Sequence, residues 1–221
     1  MRLFIYCAGG VGRETYDIVN AADPDRKLWS EVCFIDDGLD SGHVCSARQF
    51  SFAQFQGSFS PTDCRVVIAH GEPSVRKSLL AKLCGAGYSL TRVIDGGARL
   101  SPSAQVGAGA IIYPHAYISS NAVIGENTII SVNSIIGHDS RIGKDTVVAT
   151  TVSISGNCSI GSGCYIGTGA CIKEGVHVGE NTIIGMGSCV FRDIGPGMIV
   201  VGNPARESRP NVDHKVFRSS K

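Results

Sequence analysis

An aliphatic residue returns at every sixth position between Leu100 and Val190, without an insertion. Four positions after most of these residues comes a small side chain, such as Ala110, Ser134 or Cys164. A period of six fits neither an α-helix nor an alternating strand, but it is typical of a parallel β-helix in which each hexapeptide supplies a short strand and a turn. The pattern therefore predicts a solenoid whose buried face alternates large aliphatic and small side chains.

Three hexapeptides would make one triangular coil, so residues eighteen positions apart should stack about 4.8 Å from each other. Glycine follows the aliphatic residue in eight of the sixteen hexapeptides, as at Gly137 and Gly143. We expect these glycines to form tight corners, because glycine reaches backbone angles that other residues avoid. Since the register is unbroken, we expect no loop that could roof a pocket within one chain.

The segment before the solenoid has a different pattern. Apolar runs at 3–6, 32–35 and 65–69 predict buried strands, and segments 13–21 and 73–84 predict helices. This alternation is typical of a small α/β domain of Rossmann type, which binds ligands at the carboxyl ends of its strands. We therefore expect a βαβ domain at 1–95, the solenoid at 96–206 and a polar tail at 207–221.

The turn after the first strand is rich in glycine. Gly9 and Gly12 occupy two of the three glycine positions of a dinucleotide-binding turn, but Cys7 occupies the first. Asp36 and Asp37 end the second strand, where such domains deliver a carboxylate to a ribose hydroxyl. These residues fit a nucleotide site, and they also fit a plain strand-to-helix turn beside solvated aspartates.

Composition and charge exclude several classes of function. The net charge of +1 and the absence of a basic stripe argue against nucleic-acid binding. No segment approaches the roughly 20 apolar residues of a membrane span, and the opening apolar run is too short for a signal peptide. We therefore expect a cytoplasmic protein. Nine cysteines without a Cys-x-x-Cys pair indicate neither a disulfide framework nor a zinc knuckle.

Three solenoid histidines raise the question of a zinc site like that of a γ-type carbonic anhydrase. His115, His138 and His177 do not all share a phase of the repeat, so we expect no metal site. His138 differs from the others because Asp139 follows it and Gly156 lies eighteen residues later. A bare glycine backbone one coil away is a place that a substrate carbonyl could approach.

These features together resemble a known family. The hexapeptide repeat, the Gly-His-Asp stretch at 137–139 and the runs 184–190 and 200–206 resemble the left-handed β-helix acyltransferases. The segments 8–12, 34–37 and 68–71, with Arg76, resemble the branch that acetylates nucleotide-linked amino sugars, which is also named for a sialic acid O-acetyltransferase. The resemblance implies a left-handed β-helix, acetyl-CoA as co-substrate without a metal, and a role in surface glycan biosynthesis.

The resemblance also implies roles for single residues. His138 would be the general base and Asp139 its acidic partner. Further residues would contact acetyl-CoA: Gly156, Thr168, Met186 and Arg206. Others would contact the nucleotide-linked amino sugar: Gly9, Gly10, Val11, Asp36, Asp37 and Gly71. Three positions depart from the family pattern: Val11 replaces a histidine, Cys7 a glycine, and Val147 a second histidine that helps to hold the acyl donor.

The chemistry suits these residues. An amine that attacks a thioester must lose a proton, and imidazole can accept it near neutral pH. The Gly156 N–H could stabilise the developing oxyanion, and Lys173, Arg192 or Arg206 could contact the phosphates of coenzyme A or could be solvated surface. Two alternatives remain: a sugar O-acetyltransferase, and a non-catalytic β-helix that serves assembly.

The flat sides of the solenoid predict a homotrimer with its active sites between subunits. An open His138 would need a wall from a neighbouring solenoid, and three solenoids around one axis provide three equal grooves. We expect the same packing to bury outward apolar residues such as Tyr113 and Val132.

Overall fold

The computed structural model describes residues 1–38 and 42–217. The amino-terminal domain consists of β1 (Arg2–Tyr6), α1 (Gly10–Ala22), β2 (Glu31–Ile35), β3 (Gly42–Val44), β4 (Ala47–Phe50), α2 (Phe52–Ser58), β5 (Cys64–Ile68) and α3 (Pro73–Gly85). Its sheet has the order β3-β4-β2-β1-β5, and all neighbours pair in parallel except β3 and β4. The predicted α/β domain is therefore confirmed.

The sequence did not predict β3, β4 and α2. The β3–β4 turn places Cys45 and Ser46 at φ 49° and 68°, left-handed angles that hairpin turns usually obtain from asparagine or glycine. Helix α2 begins with a capping box, in which Ser51 and Gln54 exchange side-chain and backbone hydrogen bonds. The turn lacks the residues that usually mark a hairpin, and the helix has only seven residues. The sequence therefore shows too little periodicity to predict these elements.

The solenoid is built from two-residue strands that pair in parallel with strands eighteen residues away, for example Ile118 with Ile136. The strands are β6 (Val93–Ile94), β7 (Arg99–Leu100), β8 (Gln105–Val106), β9 (Ile111–Ile112), β10 (Tyr117–Ile118), β11 (Val123–Ile124), β12 (Ile129–Ile130), β13 (Ile135–Ile136), β14 (Arg141–Ile142), β15 (Val147–Val148), β16 (Ser153–Ile154), β17 (Ser159–Ile160), β18 (Tyr165–Ile166), β19 (Cys171–Ile172), β20 (His177–Val178), β21 (Ile183–Ile184) and β22 (Cys189–Val190). The predicted aliphatic and small residues fill its core.

Three sheets form the sides of the solenoid. The covered face contains β6, β9, β12, β15, β18 and β21, the open face runs from β7 to β22, and the third face runs from β8 to β20. Strands β23 (Met198–Gly202) and β24 (Ala205–Pro210) extend the covered face, and β24 is antiparallel to β23. The solenoid thus begins at Val93 rather than at 96, and β24 crosses the boundary expected between 206 and 207.

The reason given for the repeat glycines was wrong. None of the eight has a left-handed φ; that angle falls two residues later, at positions such as Asn127 and Asp139. A Cβ on Gly143 would lie 2.5 Å from the backbone of Gly161 in the next coil. Glycine is required there because successive coils approach closely, not because the backbone turns unusually.

The covered face packs against the amino-terminal domain of the same chain. Ile111, Ile129 and Val147 point outward from the solenoid, yet all are buried with α1 residues in one cluster. Tyr113 is only 5% exposed, and its hydroxyl donates to the carbonyl of Val11 at 3.3 Å. The expectation that a neighbouring solenoid buries Tyr113 and Val132 was therefore wrong, because the amino-terminal domain covers them.

A buried arginine joins the two domains, and we call its contacts the Arg76 joint. Arg76 lies in α3 and is completely buried. Its guanidinium donates to the Asn127 backbone carbonyl at 2.7 and 2.8 Å and to Asn127 Oδ1 at 2.8 Å. Asn127 in turn donates to the buried carboxylate of Asp145 at 2.8 Å. Burial lowers the pKa of Arg76 to about 10, so the group remains charged at neutral pH.

Replacing Arg76 with alanine should destabilise the fold by about 3–5 kcal/mol, because it leaves Asn127 and the Asp145 carboxylate buried without their cation. Lys77→Ala removes an exposed cation at the next position of α3 and should change stability by less than about 0.5 kcal/mol. Urea unfolding of both variants measures the difference. Equal stability of the two variants would contradict the role of the joint.

Candidate active site

His138 lies at the corner between the open face and the third face, which we call the His138 corner (137–139 and 155–157). Its Nδ1 lies 2.9 Å from Oδ2 of Asp139. The repeat brings the two together because Asp139 occupies the left-handed position of its hexapeptide, with φ 58°. Both side chains are about half exposed, at 53% and 47%.

Asp139 is held in its ionised form. Asn121, one coil earlier, donates its amide to Asp139 Oδ1 at 3.0 Å. This hydrogen bond, followed by the contact with His138, lowers the pKa of Asp139. An ionised carboxylate only accepts hydrogen bonds, so Nδ1 of His138 must carry the proton. The lone pair of the neutral imidazole is then on Nε2, which is free to accept a proton.

Gly156 makes room for the imidazole. A Cβ at this position would lie 2.5 Å from both Cε1 and Nε2 of His138. Within the part of the chain that the structure describes, the Gly156 N–H donates to no other group. The backbone of Gly156 therefore lies beside the free nitrogen of His138, and its N–H has no partner among the described residues. A base next to an available backbone donor is an arrangement suited to acyl transfer.

A second site lies at the carboxyl ends of β1, β2 and β5, where a pocket of about 620 Å³ opens. It brings together all the residues expected to contact the nucleotide sugar: Gly9, Gly10, Val11, Asp36, Asp37 and Gly71. Helix α1 begins at Gly10, and its N-cap Gly9 offers no side chain to the helix terminus. Such a terminus presents free N–H groups to an anion.

The glycines of this turn have different roles. A Cβ on Gly9 or Gly10 would meet no atom within 4 Å, whereas one on Gly12 would lie 2.0 Å from the carbonyl oxygen of Cys7. Gly12 is therefore required for packing, and Gly9 and Gly10 leave space for a ligand. Cys7 has φ 81°, so the chain adopts a glycine conformation with a non-glycine residue.

The two aspartates line the pocket and also brace it. Asp36 accepts the backbone N–H groups of Ala8 and Gly38 at 2.8 and 2.9 Å. Asp37 accepts the N–H of Phe52, the hydroxyl of Tyr6 and the ammonium of Lys82. Burial opposes ionisation of Asp37, but these hydrogen bonds outweigh it and lower its pKa. The contact of either aspartate with a ribose stays a prediction.

A groove of about 260 Å³ continues from this pocket along the covered face. Val11, Gly71 and Phe217 line both the pocket and the groove. Val147, one of the departures from the expected family pattern, lies in the groove and is almost fully buried. It offers an apolar wall and no hydrogen bond to an acyl donor.

The residues expected to contact acetyl-CoA are not all at one place. Thr168 lies in the groove, at the corner between the covered and open faces, and Met186 is stacked one coil beyond it. We call this the Thr168 corner (Thr150, Thr168 and Met186). Gly156 lies at the His138 corner, and Arg206 is exposed on β24. One chain therefore separates the base from the Thr168 corner by the width of the open face.

Several residues at the two sites were not assigned from the sequence. Asn121 could have been found by the eighteen-residue spacing from Asp139. Lys82 of α3 reaches Asp37 through the tertiary fold, so no local pattern indicates it. His70 directly follows the third predicted strand, within the segment 68–71, and could have been found by that position. Burial lowers the pKa of His70, which favours its neutral form. Phe217 lay within the segment expected to be a polar tail.

Residues 1–38 and 42–217 contain neither a candidate metal site nor a candidate membrane span. No group of three or more histidine, cysteine, aspartate or glutamate side chains there could hold a metal ion. None of the helices described there combines the length and apolarity of a membrane span.

Two family models match the sequence. Residues 2–83 match the PglD N-terminal domain, and residues 157–192 match the bacterial transferase hexapeptide model of six repeats. No curated protein sequence matched the chain.

Solved structures are similar over nearly the whole chain. WeeI from Acinetobacter baumannii AYE is 31% identical, with a TM-score of 0.87, and the match covers 94% of this chain and all of WeeI. The acetyltransferase domain of PglB from Neisseria gonorrhoeae FA1090, in complex with acetyl coenzyme A, is 28% identical, with a TM-score of 0.88 and coverage of 94% and 98%.

PerB from Caulobacter crescentus, in complex with CoA and GDP-perosamine, shares the fold at 24% identity, with a TM-score of 0.86 and coverage of 95% and 98%. The identity and full coverage of WeeI, with both domain matches, confirm the resemblance seen in the sequence. The chain therefore belongs to the hexapeptide-repeat sugar acetyltransferases, whose left-handed β-helix follows a PglD-type amino-terminal domain.

Proposed function

We propose that the protein is an acetyl-CoA-dependent N-acetyltransferase that acts on the amino group of a nucleotide-linked amino sugar. The observation that carries this proposal is the His138 corner, where Asp139 holds Nδ1 and Nε2 lies against the bare backbone of Gly156, whose N–H has no partner among the described residues. The nucleotide pocket at the α1 terminus supports the acceptor class. PglB was solved with acetyl-CoA, which is the proposed acyl donor, and PerB with GDP-perosamine, which is a nucleotide-linked amino sugar.

The chain's own groups account for the transfer. His138 Nε2 accepts a proton from the attacking amine as its nitrogen forms a bond to the thioester carbon. The Gly156 N–H donates to the carbonyl oxygen as negative charge develops on it. Asp139 stabilises the imidazolium. When the carbon–sulfur bond breaks, His138 returns the proton to the thiolate, which leaves as coenzyme A.

Both proposed substrates are metabolites of the cytoplasm, and we place the reaction there, as a step in surface glycan biosynthesis. Release of free thiol from acetyl-CoA tests the function with a panel of acceptors: GDP-perosamine, a UDP-linked amino sugar, and a nucleotide sugar that carries only hydroxyl groups. Release with an amino sugar alone supports N-acetylation. Release with the hydroxyl sugar alone would indicate O-acetylation, and no release with any acceptor would contradict the proposal.

His138→Ala should lower kcat by about 10²- to 10⁴-fold, because the amine loses its proton acceptor. The exposed side chain can be removed without harm to the fold, so binding of acetyl-CoA should persist. His177→Ala is a matched control, since it removes an exposed solenoid histidine from the third face. Steady-state thiol release measures all three proteins, and turnover near normal in His138→Ala would refute the assignment.

Asp139→Asn completes this comparison. An amide can donate to Nδ1 and so favour the wrong imidazole tautomer, with an expected loss of about 10- to 10²-fold in kcat. Activity equal to that of the unaltered protein would mean that Asp139 does not orient the base.

Gly10→Val should weaken binding of the nucleotide sugar and leave acetyl-CoA binding unchanged. Gly10 has open space around its missing Cβ, so the fold can accept the side chain while the ligand cannot. Calorimetry with each ligand alone separates the two effects. Gly12→Ala serves as the contrasting variant, because its Cβ would collide with Cys7 and damage the fold. Equal loss of both ligands in Gly10→Val would contradict the pocket assignment.

We also propose that the working form is a homotrimer in which the His138 corner of one subunit meets the Thr168 corner of its neighbour. The open face between these corners carries Tyr117 and Ile135, which are 42% and 46% exposed. These apolar side chains suit burial against a second subunit. No loop between the hexapeptides roofs the His138 corner within one chain.

Mixed trimers test this arrangement. Neither His138→Ala nor Gly10→Val should be active alone. Trimers co-refolded from equal amounts of the two should regain about a quarter of normal activity. In that share of the interfaces, an intact His138 from one subunit meets an intact pocket from its neighbour. Light scattering should give three times the 23.2 kDa chain mass. An active monomer, or mixtures without recovery, would refute the interfacial site.

A further inference from the structure

The chain returns to the nucleotide pocket after its last strand. We call residues 211–217 the return segment. Its first residue, Asn211, is buried; its N–H donates to the Gly197 carbonyl at 2.7 Å and its amide donates to the Asn181 carbonyl at 2.8 Å. The segment then runs back along the covered face to α3. A region expected to be a polar tail thus has a fixed course in the fold.

Glu72 fixes the end of the return segment. Glu72 as a whole is 6% exposed. Its carboxylate accepts the N–H of Val216 at 2.9 and 3.1 Å and that of Phe217 at 3.0 Å. Hydrogen bonds from two successive backbone groups to one carboxylate are charge-assisted, and burial strengthens them. Glu72 immediately precedes α3 and follows Gly71 of the nucleotide pocket. The anchor therefore holds Phe217 at the edge of that pocket.

The ring of Phe217 lies where the pocket and the groove meet. It packs edge-on against Tyr165, with ring centroids 5.6 Å apart, and lies 3.6 Å from the position that a Cβ on Gly71 would occupy. Yet Phe217 is 56% exposed. A side chain recruited only to fill the core would be buried, whereas this one presents an open aromatic surface to two connected cavities.

The junction is where an acceptor sugar must lie if the proposed function holds. The α1 terminus and the aspartates occupy the pocket side, which suits the nucleotide. Thr150 and Thr168 occupy the groove side, toward the corner where the acyl donor is expected. Between them stand Val11, Gly71 and Phe217. A pyranose presents apolar C–H groups on its faces, and an aromatic ring is a suitable surface for them.

We propose that Phe217, anchored by Glu72, is a substrate-binding residue that packs against the sugar ring of the nucleotide-linked acceptor and contributes to the choice of sugar. This inference rests on the proposed function and deepens it. The free nucleoside diphosphate would fill the pocket side alone, so its binding does not depend on the ring. The complete nucleotide sugar would depend on it.

Calorimetry with the nucleotide amino sugar that the unaltered protein acetylates, GDP-perosamine or its UDP-linked counterpart, tests the inference. Phe217→Ala should raise the Kd of that nucleotide sugar by about 5- to 20-fold and that of GDP or UDP by less than about 2-fold. Phe217→Tyr keeps the ring and should restore affinity. Val212→Ala alters a residue of the same segment that is 72% exposed and lines neither cavity, and it should bind normally.

Substitution of the anchoring residue, Glu72, provides a second test of the inference. Glu72→Ala should lose affinity for the nucleotide sugar to a similar degree, and the double variant with Phe217→Ala should be no worse than either, because both changes remove one contact. Additive losses, or normal affinity in Phe217→Ala, would overturn the inference while the proposed function stands. If the unaltered protein binds no nucleotide sugar, the proposed function fails and the inference with it.

Discussion

The buried guanidinium of Arg76 determines where the nucleotide pocket stands relative to the solenoid. It extends from α3 and donates hydrogen bonds to Asn127 at a corner of the solenoid. The Asn127 amide in turn donates to the Asp145 carboxylate. A buried cation with these partners tolerates little displacement, because any shift leaves charge and carbonyl oxygens without hydrogen bonds. The covered face adds apolar area around this contact. The pocket and the groove are continuous because the joint fixes one domain on the other.

The base is positioned by a different constraint, the stacking of coils. Asn121, Asp139 and Asn157 occupy the same left-handed position in successive coils, and the Asn121 side chain reaches Asp139 in the next coil. The same stacking lays the imidazole of His138 over Gly156. The repeat therefore serves both stability and the proposed catalysis. The spacing that pairs the strands also gives Asp139 a hydrogen bond from Asn121 and places the bare backbone of Gly156 beside His138.

The sequence predicted those features that repeat or that follow directly in the chain. The solenoid, its core and the proximity of His138, Asp139 and Gly156 all follow from a period of six and a coil of eighteen. The glycines were assigned to the right positions for the wrong reason, because crowding between coils depends on the third dimension. Tyr113 was assigned to the wrong partner, since nothing local shows that the amino-terminal domain covers that face. Lys82 lies far in sequence from Asp37, and Phe217 lies far from Gly71 and Tyr165, so only the fold reveals these contacts.

An uninterrupted solenoid also explains why the two halves of the site lie apart in one chain. Each coil makes one turn at each corner. A hexapeptide is too short to include a loop that could bring His138 close to the Thr168 corner of the same chain. The amino-terminal domain packs against one face and leaves a groove there that leads from the pocket to the Thr168 corner. The open face, with its exposed Tyr117 and Ile135, separates that corner from His138. In the proposed trimer, a neighbouring solenoid would cover the open face and bring these two corners together.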